Sequence, residues 1–110
     1  MISYLIKKGE LAKDPNNHER LSSSGACEAV VGALKRHSEV LEVVVNTCFA
    51  IHYLSATPNN VSWMGAYGAC EAVTNALIKH AGKSQEVAKN GCNAIGTVFS
   101  YYYTSIYSLN

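Results

Sequence analysis

Apolar and polar positions alternate at helical spacing through most of the chain. From Ala26 to His37, Cys27, Val30, Val31 and Leu34 fall at i, i+3, i+4 and i+7, while Glu28, Gly32, Lys35 and Arg36 collect on the other side. That pattern predicts an amphipathic helix. A second helix of the same kind is predicted from Ala69 to His80, where Cys70, Val73, Thr74 and Leu77 take the same places. Val40-Leu41-Glu42-Val43-Val44-Val45 is β-branched enough to read as a strand when taken alone. Its later counterpart, Gln85-Glu86-Val87-Ala88-Lys89-Asn90, has a helical composition and no strand alternation, so both segments are read as helices. Their predicted buried stripes are Val44, Cys48, Ile51 and Leu54, and Ala88, Cys92, Ile95 and Val98.

These paired patterns come from a duplication. Pro15 to His37 returns as Pro58 to His80 at an offset of 43 residues, each copy reading Pro-Asn-Asn, a variable gap, Gly-Ala-Cys-Glu-Ala-Val, then Ala-Leu and His. One extra residue near Ala81-Gly82 makes the offset 44 for the third element. Asp14-Pro15 and Thr57-Pro58 each place a capping side chain before a proline at the first helical position, where the missing N–H costs nothing. A short helix is expected from each, with Leu21 as the apolar contact in the first copy and Trp63 with Met64 in the second. It should stop before Gly25 or Gly68, where glycine permits a left-handed backbone. His37 and His80 are read as groups bonding the free carbonyls of their own last turns.

A repeat of this length predicts units that cannot bury their apolar faces alone and must stack. Residues 1–14 are a partial unit and link, since Ile2-Ser3-Tyr4-Leu5 lines up with Ile51-His52-Tyr53-Leu54. Residues 15–57 and 58–100 are full units, and 101–110 form a C-terminal aromatic cap or oligomerisation segment of the same single domain. Phe99, Tyr102, Tyr103 and Ile106 make an apolar stripe there, which either folds back as a cap or is covered by another copy.

Composition narrows the function classes. Nine basic and eight acidic residues, scattered to a net charge of +1, supply no phosphate-binding stripe, so no nucleic-acid partner is expected. No run is apolar and long enough to span a membrane, and Lys7-Lys8 follow the N-terminal apolar residues rather than preceding them as in a secretory signal. A cytoplasmic or nuclear location is the expectation. The four cysteines, Cys27, Cys48, Cys70 and Cys92, lack the close pairing of zinc sites and recur at equivalent repeat positions, so all four are expected as small core residues. Cys27 and His37 sit ten residues apart on one helix, ~15 Å, which is too far for a nucleophile and its base. No catalytic residues, metal site or cofactor are expected, because no phosphate-cradling loop or nucleophile–base pair is visible.

Three helices per unit, with a Gly-Ala junction after a short first one, resemble the armadillo repeat over residues 15 to 99. The resemblance is carried by Asn17 through Gly25-Ala26 to Leu34, then Val43-Val44, Thr47-Cys48-Phe49-Ala50-Ile51 and Leu54, and by their counterparts in the second copy. It implies an all-α, right-handed superhelical solenoid of about two and a half units, whose third helices line a concave groove for proteins or peptides. HEAT-like stacking is the alternative, although two-helix HEAT units typically lack this junction. By position the groove would show Tyr4, Asn46, Phe49, Tyr53, Asn90, Asn93 and Thr97. Peptide-carrying armadillo proteins place a Trp, and an Asn one turn later, on the third helix. Here those places hold Phe49 with Tyr53 and Asn93 with Thr97, which suits an aromatic protein contact unless these rings simply pack against neighbouring helices. The resulting expectation is a non-enzymatic scaffold that binds protein or peptide and associates with itself through its ends. The alternative is a regulatory fragment of a larger enzyme such as a kinase or GTPase.

Overall fold

The computed structural model describes residues 13–107, with side chains as far as residue 97. Among these residues the chain is all-helical and repeat-like. A 3-10 turn at Pro15–Asn17 leads into α1 (His18–Ser23), followed by α2 (Ala26–Arg36) and α3 (Leu41–Leu54). The second unit supplies α4 (Pro58–Ala66), α5 (Ala69–His80) and α6 (Gln85–Tyr107). The β-branched run at Val43-Val44-Val45 is helical, in agreement with the reading taken from its counterpart.

The helix boundaries follow from a few local devices. The Asp14 carboxylate accepts from the Asn16 N–H at 3.0 Å, capping the first unit. Thr57 has the extended backbone of a cap but makes no side-chain cap bond, contrary to expectation; proline at the start of α4 leaves one fewer orphan donor to satisfy. Gly25 and Gly68 lie at φ 84° and 86°, so the short helix of each unit ends in a left-handed residue and the next helix starts at once in a new direction. The Ser84 hydroxyl caps α6 through the Val87 N–H at 3.2 Å. This last helix runs unbroken to Tyr107, so its backbone does not turn back on the domain before that residue.

The main contact between the units is third helix on third helix. α3 lies along α6, α2 touches α4 and α5, and within each unit the second and third helices pair. The core between them holds Cys27, Val31, Leu34, Val44, Cys48, Ile51, Leu54, Met64, Val73 and Val87. Polar ties join the units at their edges. The Ser22 hydroxyl bonds the buried Asn60 side chain, and the Lys35 ammonium donates to the Tyr67 carbonyl. Lys79 pairs with Glu39 at 2.7 Å, and its donation to that exposed carboxylate lowers the Glu39 pKa. His80 Nε2 donates to the Ser38 carbonyl at 2.7 Å, so this imidazole bonds the preceding unit rather than its own helix end, as had been expected. His37, its counterpart, is exposed.

The buried faces of the two units differ although their sequences match. In the first unit Cys27, Val31, Leu34, Cys48 and Ile51 are fully buried, as predicted. In the second, Cys70, Thr74, Cys92 and Ile95 are exposed, while Leu77 and Ala88 are half-buried. The faces actually buried there are Ala69, Ala72, Val73 and Ala76 on α5, and Val87, Gly91 and Ala94 on α6. Each stripe is displaced by about one residue, or ~100° of helix. The difference follows from what packs on each unit. The first unit is covered by the second, whereas α5 and α6 pack only backward among the described residues. Two of the four cysteines are therefore core residues and two are not. Trp63 is likewise exposed, with Asn60, Val61 and Met64 carrying the inward face of α4.

Candidate interaction surface

The sequence-predicted residues fall on equivalent positions of the third helix of each unit. On α3, Asn46, Phe49 and Tyr53 follow at i, i+3 and i+7; on α6, Asn90, Asn93 and Thr97 do the same. Because α3 and α6 lie side by side, these two short rows adjoin. The Phe49 and Tyr53 rings stand 4.8 Å apart at 57°, and the His52 ring meets Tyr53 edge-on at 4.7 Å. Lys13 brings its ammonium to 5.3 Å from the Phe49 ring and 5.9 Å from that of Tyr53. A cation at this distance is attracted by the ring faces.

The amides and hydroxyls of the rows divide into tied and available groups. Asn46 Nδ2 donates to the Glu42 carbonyl within its own helix at 2.9 Å, and Asn90 Nδ2 crosses to the Val45 carbonyl at 3.3 Å. Asn90 therefore ties α6 to α3. Thr97 donates its hydroxyl proton to the Asn93 carbonyl at 2.8 Å, and its oxygen lies 2.6 Å from His52 Nδ1. With the hydroxyl proton committed, Oγ1 accepts from His52 Nδ1–H. The same polarity runs opposite to general-base activation, in which imidazole would take the proton from the hydroxyl. Asn93 is exposed on this face, and Phe49 and Tyr53 are half-buried, with Tyr53 packed against the core.

Sequence reading missed His52 and Lys13 as members of this surface. Gly96 stands at the place in the second unit that matches His52, so the repeat carried no signal. An imidazole next to Tyr53 on a third helix was the only available cue. Tyr4 lies outside the described residues, as do the side chains of Phe99, Tyr102, Tyr103 and Ile106.

The two buried thiols, Cys27 and Cys48, are not reactive groups. Burial pushes Cys48 up to about 11, and burial raises Cys27 against a smaller opposing hydrogen bond from Ser22. Both remain protonated at neutral pH. Among the described residues no cluster of three or more His, Cys, Asp or Glu could hold a metal ion, and no helix is long and apolar enough to cross a membrane. Comparisons with family models, with curated proteins and with solved structures found no match.

Proposed function

We propose that the chain is a non-enzymatic scaffold of armadillo-like units, stacked as a right-handed superhelix, that binds a protein or peptide on its third-helix face. The observation that carries this reading is the Phe49–Tyr53 pair, partly open at the surface with a lysine over its rings, beside the exposed amide of Asn93. Half-open aromatics supply apolar contact area at little entropic cost, and an adjacent amide can donate to and accept from an extended backbone. Packing of the third helix of one unit along the third helix of the other supports the stacking of units.

Selection of a random displayed-peptide library on the immobilised chain tests it. Selected peptides should bind the wild type and lose at least about tenfold in affinity to Phe49→Ser, an aromatic anchor being worth ~2 kcal/mol or more. Tyr53→Phe keeps the packing of the ring and removes only its hydroxyl, so it serves as the folded control with near-native binding. Peptides that bind Phe49→Ser as well as wild type, or a library that yields none, would overturn the assignment of this face.

A further inference from the structure

The packing of α6 leaves a labile dipeptide in the joint between the units. Gly91 is buried, and a Cβ there would lie 2.7 Å from Leu77 Cδ2 and 2.9 Å from Leu77 Cγ, so the close approach of α6 to α5 is made with glycine. The residue before it is the half-buried Asn90, whose Nδ2 donates to the Val45 carbonyl on α3 at 3.3 Å. Asn90-Gly91 is the only asparagine–glycine pair in the chain. An asparagine in that setting is reactive, because the following residue has no side chain to hinder attack of its backbone nitrogen on the side-chain carbonyl carbon. At the matching place in the first unit Asn46 is followed by the fully buried Thr47, and Asn46 Nδ2 donates within its own helix. The repeat thus carries the same asparagine twice, once hindered and once not.

We propose that Asn90 is a deamidation site, held closed by the helix and exposed by local opening of α6, at which the joint between the units is irreversibly untied. In the first step the Gly91 nitrogen attacks Asn90 Cγ. An N–C bond forms, the Cγ–Nδ2 bond breaks, and ammonia leaves with the former Gly91 amide proton, giving a five-membered succinimide. One water then opens the ring at either carbonyl, to aspartate or to isoaspartate. Helical geometry commits the Gly91 N–H to the carbonyl four residues back and turns that nitrogen away from Asn90 Cγ. The ring therefore closes only while this part of α6 is open, and Asn90 stands in the second turn of the helix, close to its Ser84 cap. Aspartate at this place sets a carboxylate against the Val45 carbonyl, two acceptors with no proton between them, and one turn from the like charge of Glu86. Isoaspartate routes the main chain through the side-chain carbon, and the added methylene breaks the helical register. The modification is independent of what the third-helix face binds.

Mass-spectrometric peptide mapping of the full chain, aged at mildly alkaline pH in native buffer and in denaturing urea, tests this. In urea Asn90 should convert and Asn46 should not within the same time. In native buffer conversion of Asn90 should be at least about tenfold slower, because only the opened fraction reacts. Ser84→Ala removes the cap of α6 and leaves Asn90 and Gly91 in place, so it should speed native conversion about fivefold and leave the rate in urea unchanged. The consequence is read by urea unfolding. Asn90→Asp should lower the folded-to-unfolded ratio at least about tenfold, and by more than Asn90→Ala, which removes the tie without adding a carboxylate. Loss of folding in Asn90→Asp with Asn90→Ala still folded is the same outcome carried to completion. A native rate equal to that in urea, a Ser84→Ala rate equal to wild type, or conversion of Asn46 alongside Asn90 would overturn the gated site. Equal stability of Asn90→Asp and wild type, or equal losses in the two variants, would overturn the untying.

Discussion

Replacing Ile51 with alanine and, separately, Ile95 with alanine compares one residue type at one repeat position in two surroundings. Ile51 is 1% exposed between α3 and its neighbours, whereas Ile95 is 38% exposed on the outward side of α6. Truncating a fully buried isoleucine removes its transfer energy and leaves a cavity, together costing about 2–5 kcal/mol. At Ile95 the neighbours cover only part of the side chain and no closed cavity forms, so the loss is under about 1 kcal/mol. Alanine's better helix propensity returns a few tenths of that. The two variants should therefore differ by about 2 kcal/mol or more, which at this size corresponds to roughly 10 °C in Tm. Urea unfolding followed by circular dichroism reads the difference directly, provided it is done at concentrations where the chain is single. The m-value should be close to wild type in both. Equal losses at the two positions would refute the displaced stripe and with it the view that the second unit's outer side is uncovered.

Two further outcomes follow from the backbone and the buried thiols. Gly25→Ala and Gly68→Ala should each cost about 1–2 kcal/mol, because both positions have positive φ, whereas Gly32→Ala, inside α2 with nothing within 4 Å of the new Cβ, should stabilise by up to about 1 kcal/mol; denaturant midpoints of the three variants test the contrast. Cys48 has its folded pKa at about 11 against an ordinary value of 9.0, so above pH 9 the unfolded chain loses this proton first. Stability contributed by the neutral thiol is present below pH 9 and falls between pH 9 and 11 by an amount of order 3 kcal/mol, and Cys48→Ala should flatten that part of a stability–pH curve.

Much of the helical layout was legible because the chain states it twice. The β-branched Val43-Val44-Val45 run would pass for a strand, and its assignment to a helix came from Val87-Ala88-Lys89 at the matching position. Gly25 and Gly68 were readable as left-handed junctions for the same reason. What the pattern could not supply was the difference between identical residues. Cys27 and Cys70 sit in the same Gly-Ala-Cys-Glu-Ala-Val string, and what decides which is buried is that helices of the second unit pack over the first. Periodicity identifies a helix face that can be buried, while burial itself depends on neighbours distant in sequence. The site followed the same logic. Phe49 and Tyr53 were visible from their spacing, but the His52–Thr97 bond joins residues 45 apart and had no echo in the other unit. The role of Asn60 was hidden in a motif that reads as a helix start, although its side chain bonds Ser22 of the preceding unit.

The split of each matched pair into a covered and an uncovered member also gives the molecule a direction that genetics can read. Where Cys27, Val31 and Cys48 are sealed inside, a library of variants will keep few replacements; at Cys70, Thr74 and Cys92, an isolated chain will accept many. The ratio of tolerance between matched positions then reports, without any structural measurement, which of the two units is covered by the other. Wherever a partner covers the second unit, that ratio contracts toward one as the outer positions come under the constraint of the inner ones.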